Sequence, residues 1–140
     1  MFWGASSFNG DCSTWRLLGV NDLSWLFGNS AFNRDLSSWP VSHVTNMRGL
    51  FYNDKQWNQE LASWQTSSVT DMGQMFQLAE SFDQPLPWNM SQVTTLDNIF
   101  NSATKFNHPL EWDTSKVTNM NFAFRNARSF NQNLRCVHEQ

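Results

Sequence analysis

Hydrophobic positions recur along the whole chain at intervals of 24 or 25 residues. Each interval begins with an aromatic residue followed by Asn or Asp, and continues with a tryptophan and a second aromatic position. The opening pairs are Phe8-Asn9, Phe32-Asn33, Trp57-Asn58, Phe82-Asp83, Phe106-Asn107 and Phe130-Asn131. The tryptophan column is Trp15, Trp39, Trp64, Trp88 and Trp112, and the second aromatic column is Phe27, Phe51, Phe76, Phe100 and Phe124. Repetition at such a period is typical of proteins whose repeats stack to share one core.

The spacing inside each interval predicts two short secondary-structure elements. Val44, Met47 and Phe51 fall on one face of a helix about two turns long. Before them, Trp39 and Val41 alternate with a period of two, which is typical of a short strand. We therefore expect an α/β repeat solenoid, similar to leucine-rich repeats, with one short parallel strand and one short helical stretch in each 24–25-residue coil.

The length of 140 residues is sufficient for one domain with its own core. We expect residues 1–140 to form a single solenoid of about five and a half coils. The approximate predicted coils are 2–26, 27–50, 51–75, 76–99, 100–123 and the partial coil 124–140. Since the chain opens and stops within a repeat, we also expect either a fragment of a longer array or an unusually short gene product, with open ends able to associate end to end.

Composition matters most for the aromatic residues, which include twelve Phe and eight Trp. Phe2 falls at the step of the second aromatic column that precedes Phe27, and with it all but three of these residues lie in the aromatic columns, which we interpret as core. Trp3, Trp25 and Phe122 lie outside the columns, and either pack at an edge or form a contact site for a partner. A polar column is expected to bond the backbone from coil to coil instead of binding a ligand. It includes Asn33, Asn58, Asn107 and Asn131.

The net charge of the chain and the placement of its potential catalytic side chains argue against several classes of function. Nine basic and twelve acidic residues give a net charge of -3, which disfavours nucleic-acid binding. No run approaches the roughly 18 apolar residues of a membrane-spanning helix, and no signal peptide is evident, so we expect no membrane insertion by this segment. The histidines His43, His108 and His138 are scattered. We therefore predict no catalytic residue, no metal and no cofactor, and hence no enzyme.

The two cysteines and one asparagine allow more specific expectations. Cys12 and Cys136 are five repeats apart, or about 24 Å at the spacing of paired strands, which is too far for a disulfide. Asn89, in Asn89-Met90-Ser91, matches the acceptor pattern for glycosylation.

Three segments carry a resemblance to a known repeat family. They are FNRDLSSWPVSHVTNMRGLF (32–51), VTDMGQMFQLAESF (69–82) and FNHPLEWDTSKVTNM (106–120). This pattern resembles the repeat of BspA-like leucine-rich-repeat surface proteins, which is also catalogued as a domain of unknown function first noticed in mycoplasmas.

The resemblance implies an extracellular or cell-surface location and a role in adhesion. We therefore expect a non-catalytic protein-interaction or adhesion module whose partner is an unknown protein or glycan. The alternative is a structural spacer or an intracellular scaffold with no ligand of its own.

Overall fold

A computed structural model of the chain describes residues 2–134 as a stack of repeats that make direct backbone contact. Within this range there is no helix and no extended strand, and the regular pairing is limited to isolated parallel bridges. The bridges join Asp22 to Asn46, Asn46 to Asp71, Asp71 to Thr95 and Thr95 to Asn119. Because every bridge links residues one repeat apart, each repeat lies directly on the next.

The predicted helical stretch is wrong, and the hydrogen bonding of residues 47–54 shows why. The N–H groups of Met47, Gly49, Phe51 and Asn53 donate to carbonyls of the following repeat, at 2.7–3.0 Å. The N–H groups of Leu50, Tyr52 and Asp54 close turns on carbonyls three residues earlier. An α-helix would need each of these donors for a carbonyl four residues back. Here alternate donors hold neighbouring repeats together, so the segment is a series of overlapping turns.

Two positions in every repeat also have a left-handed backbone, which an α-helix of L-residues excludes. The first position is held by Trp25, Gly49, Gln74, Asn98 and Phe122, with φ between 55° and 61°. The second is held by Gly4, Asn29, Asn53, Leu78, Ser102 and Asn126, with φ between 53° and 72°. These two positions redirect the chain in each repeat and leave the intervening apolar side chains facing inward.

The predicted short strand is wrong as well. The N–H of Val41 donates to the carbonyl of Trp39 in its own repeat, and Val44 closes a turn on Val41. Trp39 reaches the preceding repeat through its side chain, whose Nε1–H donates to the carbonyl of Cys12 at 2.9 Å. The α/β, leucine-rich-repeat-like class is therefore incorrect for this chain, because backbone turns and side chains replace both expected elements.

Stacked aromatic rings form the centre of the core. Phe27, Phe51, Phe76 and Phe100 are fully buried, and successive ring centroids lie 5.7–6.1 Å apart with interplanar angles of at most 15°. Each ring also stacks at 4.0–4.1 Å on the opening aromatic of the following interval, as Phe51 does on Trp57. Offset stacking at these distances adds to the hydrophobic gain of burial. At the ends of the stack, Phe124 and Trp15 are only partly buried.

The tryptophan column joins the core to the backbone. Trp39, Trp64, Trp88 and Trp112 are buried, and each indole N–H donates to a carbonyl of the preceding repeat at 2.9–3.0 Å. A buried indole needs such an acceptor because an unpaired donor would retain the full cost of its desolvation. The column therefore contributes both apolar area and a polar link between repeats.

The asparagine column forms a second ladder on the surface. The side-chain oxygens of Asn9, Asn33, Asn58, Asp83 and Asn107 accept the backbone N–H one repeat later, at 2.9–3.4 Å. Asn131 is the last donor of this series. These contacts pair backbone groups at a turn where the neighbouring main chain supplies no acceptor.

Candidate functional site

One surface of the stack, which we call the turn face, is formed by residues 25–29, 49–53, 74–78, 98–102 and 122–126. A continuous series of backbone bonds runs along it, at 2.7–2.9 Å per step. The donors are Trp25, Gly49, Gln74 and Asn98, and the acceptors are Arg48, Gly73, Asp97 and Asn121. Side chains at corresponding positions of successive repeats are therefore held on this surface in a regular row.

Three aromatic side chains form a cluster where Trp3 meets the first two segments of the turn face. Trp3 is 50% exposed and stacks on Tyr52, with ring centroids 5.7 Å apart and an interplanar angle of 22°. Trp25 meets both rings edge-on, at 5.4 and 5.5 Å. Rings at these separations are in mutual contact. A ligand therefore has access to their outer faces and edges, but no space between them.

Two glycines provide the space in which this cluster sits. A Cβ on Gly28 would lie 2.4 Å from ring atoms Cε3 and Cζ3 of Trp3, and one on Gly49 would lie 2.1 Å from Cε3 of Trp25. Real Cβ atoms do not approach other atoms so closely. The aromatic cluster therefore depends on the absence of a side chain at both positions.

Phe122 is a separate exposed aromatic on the same surface. Its side chain is 61% exposed, and the guanidinium carbon of Arg125 lies 5.4 Å from its ring centroid. It occupies the same left-handed position as Trp25, four repeats further along the turn face. Bulky side chains rarely adopt this conformation. Asn98 and Gly49, at the same position in other repeats, are residue types that tolerate it well.

Between the two aromatic groups, in the repeat next to Phe122, lies a pair of linked amides. The hydroxyl of Ser102 donates to Oδ1 of Asn101 at 3.0 Å, and Nδ2 of Asn101 donates to Oδ1 of Asn98 at 2.9 Å. Each asparagine has two N–H donors and two acceptor lone pairs. Asn101 therefore retains one donor and one acceptor beyond those this relay uses.

A charged cluster is located beside the amides. Arg48 donates to both oxygens of Asp97, at 2.9 and 2.7 Å, and to Asp71 at 3.3 Å. Burial opposes the charge of Asp97, but the hydrogen bond from Arg48 and its positive charge outweigh that effect and lower the pKa of Asp97. One guanidinium faces two carboxylates, so the cluster is only partly neutralised, and it links three consecutive repeats.

The other candidate groups from the sequence are not brought together. Nε2 of His43 contacts the carbonyl of Leu17 at 2.7 Å, and Nε2 of His108 contacts the carbonyl of Asp83 at 3.1 Å. Across residues 2–134, no three His, Cys, Asp or Glu side chains form a group that could hold a metal ion. Cys12 is buried with a free thiol, whereas Cys136 and His138 lie outside the described residues.

In the described part of the chain, no helix is long and apolar enough to cross a membrane.

The structure joins two of the three aromatics that the sequence places outside the columns. Trp3 and Trp25 share a cluster, and Phe122 is separate. Sequence reasoning missed Tyr52, Gly28 and Gly49. One available signal was that Trp3, Gly28 and Tyr52 follow one another at intervals of 25 and 24 residues, so that Gly28 opens a gap between two aromatic rings.

Together, the stacked turns and this surface define a repeat protein with an open face of aromatic rings and amides. Its sequence matches the family described as Mycoplasma protein of unknown function, DUF285, over residues 1–87 and 86–137. The chain therefore belongs to this family. No curated protein and no solved structure gives a significant match.

Proposed function

We propose that this chain is a non-catalytic binding module that contacts its partner through the turn face. The observation that carries the proposal is the exposed Phe122 ring at a left-handed backbone position. A bulky side chain in this conformation costs on the order of 1 kcal/mol, and an exposed ring recovers little of that cost by burial. Residues that cost stability without packing into a core are often kept for function.

The aromatic cluster at the other end of the turn face supports the same interpretation. Trp25 also has a left-handed backbone, and the side chain of Trp3 remains half exposed. Exposed aromatic side chains are frequent energetic centres of binding sites, because a rigid ring covers a large area at a low entropic cost.

The sequence similarity to BspA-like surface proteins supports a finer proposal, in which the partner lies outside the cell and the binding serves adhesion. This part depends on the repeat motif alone. Location is tested by whether the native protein is accessible to protease or antibody on intact cells of its source.

A comparison of two variants tests the proposed function. The purified chain is labelled and applied to extracts of cell surfaces, beside a Trp3→Ala/Phe122→Asn double variant and a Leu18→Ala control. Leu18 is 81% exposed and lies outside the turn face, so its loss should leave binding unchanged. We expect the double variant to lose binding. A chain that retains no surface component, or a double variant that binds like the wild type, would favour a structural spacer.

A further inference from the structure

We infer that the turn face binds a neutral, β-linked glycan chain that lies along the stack, with sugar rings on the aromatic groups and hydroxyls on the amides between them. This inference rests on the proposed function and names the class of ligand. Four features of the turn face support it.

The first feature is the placement of the aromatic rings. Trp3 and Trp25 lie at one end of the turn face and Phe122 at the other, and Trp3 and Phe122 are at least half exposed. The flat face of a β-linked hexose displays several C–H groups, which pack well on an aromatic ring through apolar contact and attraction to the negative ring face. A surface ring provides this contact without a deep pocket.

The second feature is the distance between these rings. Trp25 and Phe122 occupy the same position in two repeats, and four steps from one repeat to the next separate them. With about 4.8 Å for each step, as between paired strands, the two positions are separated by about 19 Å. One step is close to the length of one hexose along an extended chain. A glycan of about four to six sugars would therefore contact both aromatic groups and remain in register with the repeats.

The third feature is the polar chemistry between the rings. The relay from Ser102 through Asn101 to Asn98 fixes the orientation of the amides before any ligand binds. An amide with one donor and one acceptor left over matches a sugar hydroxyl, which can both accept and donate. Fixing these groups in advance reduces the entropy cost of binding.

The fourth feature separates a glycan from a peptide. The backbone N–H groups of Trp25, Gly49, Gln74 and Asn98 are already used in the ladder between repeats, so an extended peptide finds no free strand edge along these four repeats. The apolar cavities that could accept a protein side chain are not lined by Trp3, Trp25 or Phe122. One is lined by Ile99, Trp112 and Phe124 and the other by Trp15, Leu17 and Leu23, towards the two ends of the stack.

The charges around Arg48 favour a neutral glycan in the middle of the turn face, and the guanidinium of Arg125, the cation beside Phe122, lies over the Phe122 ring. The guanidinium of Arg48 is occupied by Asp97 and Asp71, so this cation is not available for an acidic sugar. The two carboxylates would also repel one. Hydroxyl groups, which carry no charge, can contact this part of the turn face without disturbing the ion pairs.

Titration calorimetry with cellohexaose and chitohexaose, and with their two-sugar fragments, tests the inference. We expect a hexaose to bind and the matching disaccharide to bind at least about tenfold more weakly, because only the longer chain reaches both aromatic groups. Phe122→Asn and Trp3→Ala should each weaken hexaose binding by about tenfold. Phe122→Asn places at this position the residue found at Asn98, so folding is not at risk, and Leu18→Ala serves as the control.

Failure of the glycan inference can be distinguished from failure of the proposed function. If neither hexaose binds, or if Phe122→Asn binds as well as the wild type, the glycan assignment is wrong. A surface component that depends on Trp3 and Phe122, survives glycosidase and is destroyed by protease would identify a protein partner, and the proposed function would then stand without the glycan. If neither sugar nor surface component binds, both proposals fail.

Discussion

The guanidinium of Arg48 donates to both carboxylate oxygens of Asp97, which lies 49 residues further along the chain. The contact spans two repeats and passes over the repeat between them, where Asp71 accepts a third bond from the same guanidinium. Long-range order in this stack therefore depends on side chains as well as on the backbone ladder.

We predict that Arg48→Ala destabilises the chain by about 2–3 kcal/mol, because Asp97 is buried and would lose its charge partner. Urea unfolding measures the loss. Lys55→Ala is the matched control, since the Lys55–Glu80 pair is largely exposed and should be worth less than about 1 kcal/mol. Equal losses for the two variants would contradict the structural role of Arg48.

The pH dependence of the same variant provides a second test. The pKa of Asp97 is lowered in the folded chain from its usual 3.8. Its ion pair therefore stabilises the fold above pH 3.8, and this stabilisation is lost as the pH falls through the folded-state pKa. We expect the stability difference between wild type and Arg48→Ala to narrow below that pH. A difference that stays constant from pH 6 to 2 would show that the charge pair is not its source.

Asp54 should have the opposite pH dependence. It is fully buried and accepts a hydrogen bond from Ser30 at 3.1 Å, and burial raises its pKa to about 7. The folded state thus favours the protonated acid. The contribution of Asp54 to the free energy of unfolding is fully present below pH 3.8 and is lost as the pH rises to about 7. Relative to Asp54→Asn, the wild type should lose on the order of 4 kcal/mol over that range. Parallel stability curves for the two proteins would exclude this effect.

The same substitution should have different effects in two aromatic columns. Trp64 Nε1–H donates to the carbonyl of Leu36, whereas the buried Nε1–H of Trp57 has no partner among the described residues. Trp64→Phe removes a paired donor and part of the buried indole, while the carbonyl of Leu36 keeps its bond from the N–H of Trp39, so we expect a loss of about 2 kcal/mol. Trp57→Phe removes an unpaired donor, which offsets the smaller volume, and should change stability by less than about 1 kcal/mol. Thermal or urea unfolding distinguishes the two, and similar losses would contradict the indole ladder.

Phe122→Asn should raise stability while it removes a binding contact. The asparagine tolerates the left-handed backbone, and the lost ring packs on little besides Arg125. We expect a gain of about 1 kcal/mol in the free energy of unfolding. Phe124→Ala is a useful contrast, because that ring stacks on Phe100 and Phe130 and its loss should destabilise the chain. A destabilised Phe122→Asn variant would show that the ring has a structural role instead.

The aromatic spacing identifies residues that the structure buries, because a ring such as Phe51 or Phe76 in a fixed column can only recur if neighbouring repeats pack in register. The local backbone could not be predicted in the same way. Overlapping turns with alternate donors place Val44, Met47 and Phe51 inward, much as a helix would. The left-handed column holds Trp25 and Phe122 as well as Gly49 and Asn98, so its residue types do not reveal its conformation.

Only part of the aromatic cluster could be predicted from the sequence, for a related reason. Trp3 and Trp25 stand out because they leave the main columns, but their contact depends on the space above Gly28 and Gly49. That space is a property of three repeats together, and no single repeat contains it. Tyr52 completes the cluster from the third of these repeats.

Hydrogen exchange of the indole Nε1–H groups, followed by NMR, tests most directly whether the tryptophans are divided between a structural column and an exposed surface. We predict slow exchange for Trp39, Trp64, Trp88 and Trp112, whose indoles are buried and bonded to carbonyls, and rapid exchange for Trp3. A protected Trp3, or a Trp64 that exchanges as fast as Trp3, would contradict the assignment of the column to the core and of Trp3 to the binding surface.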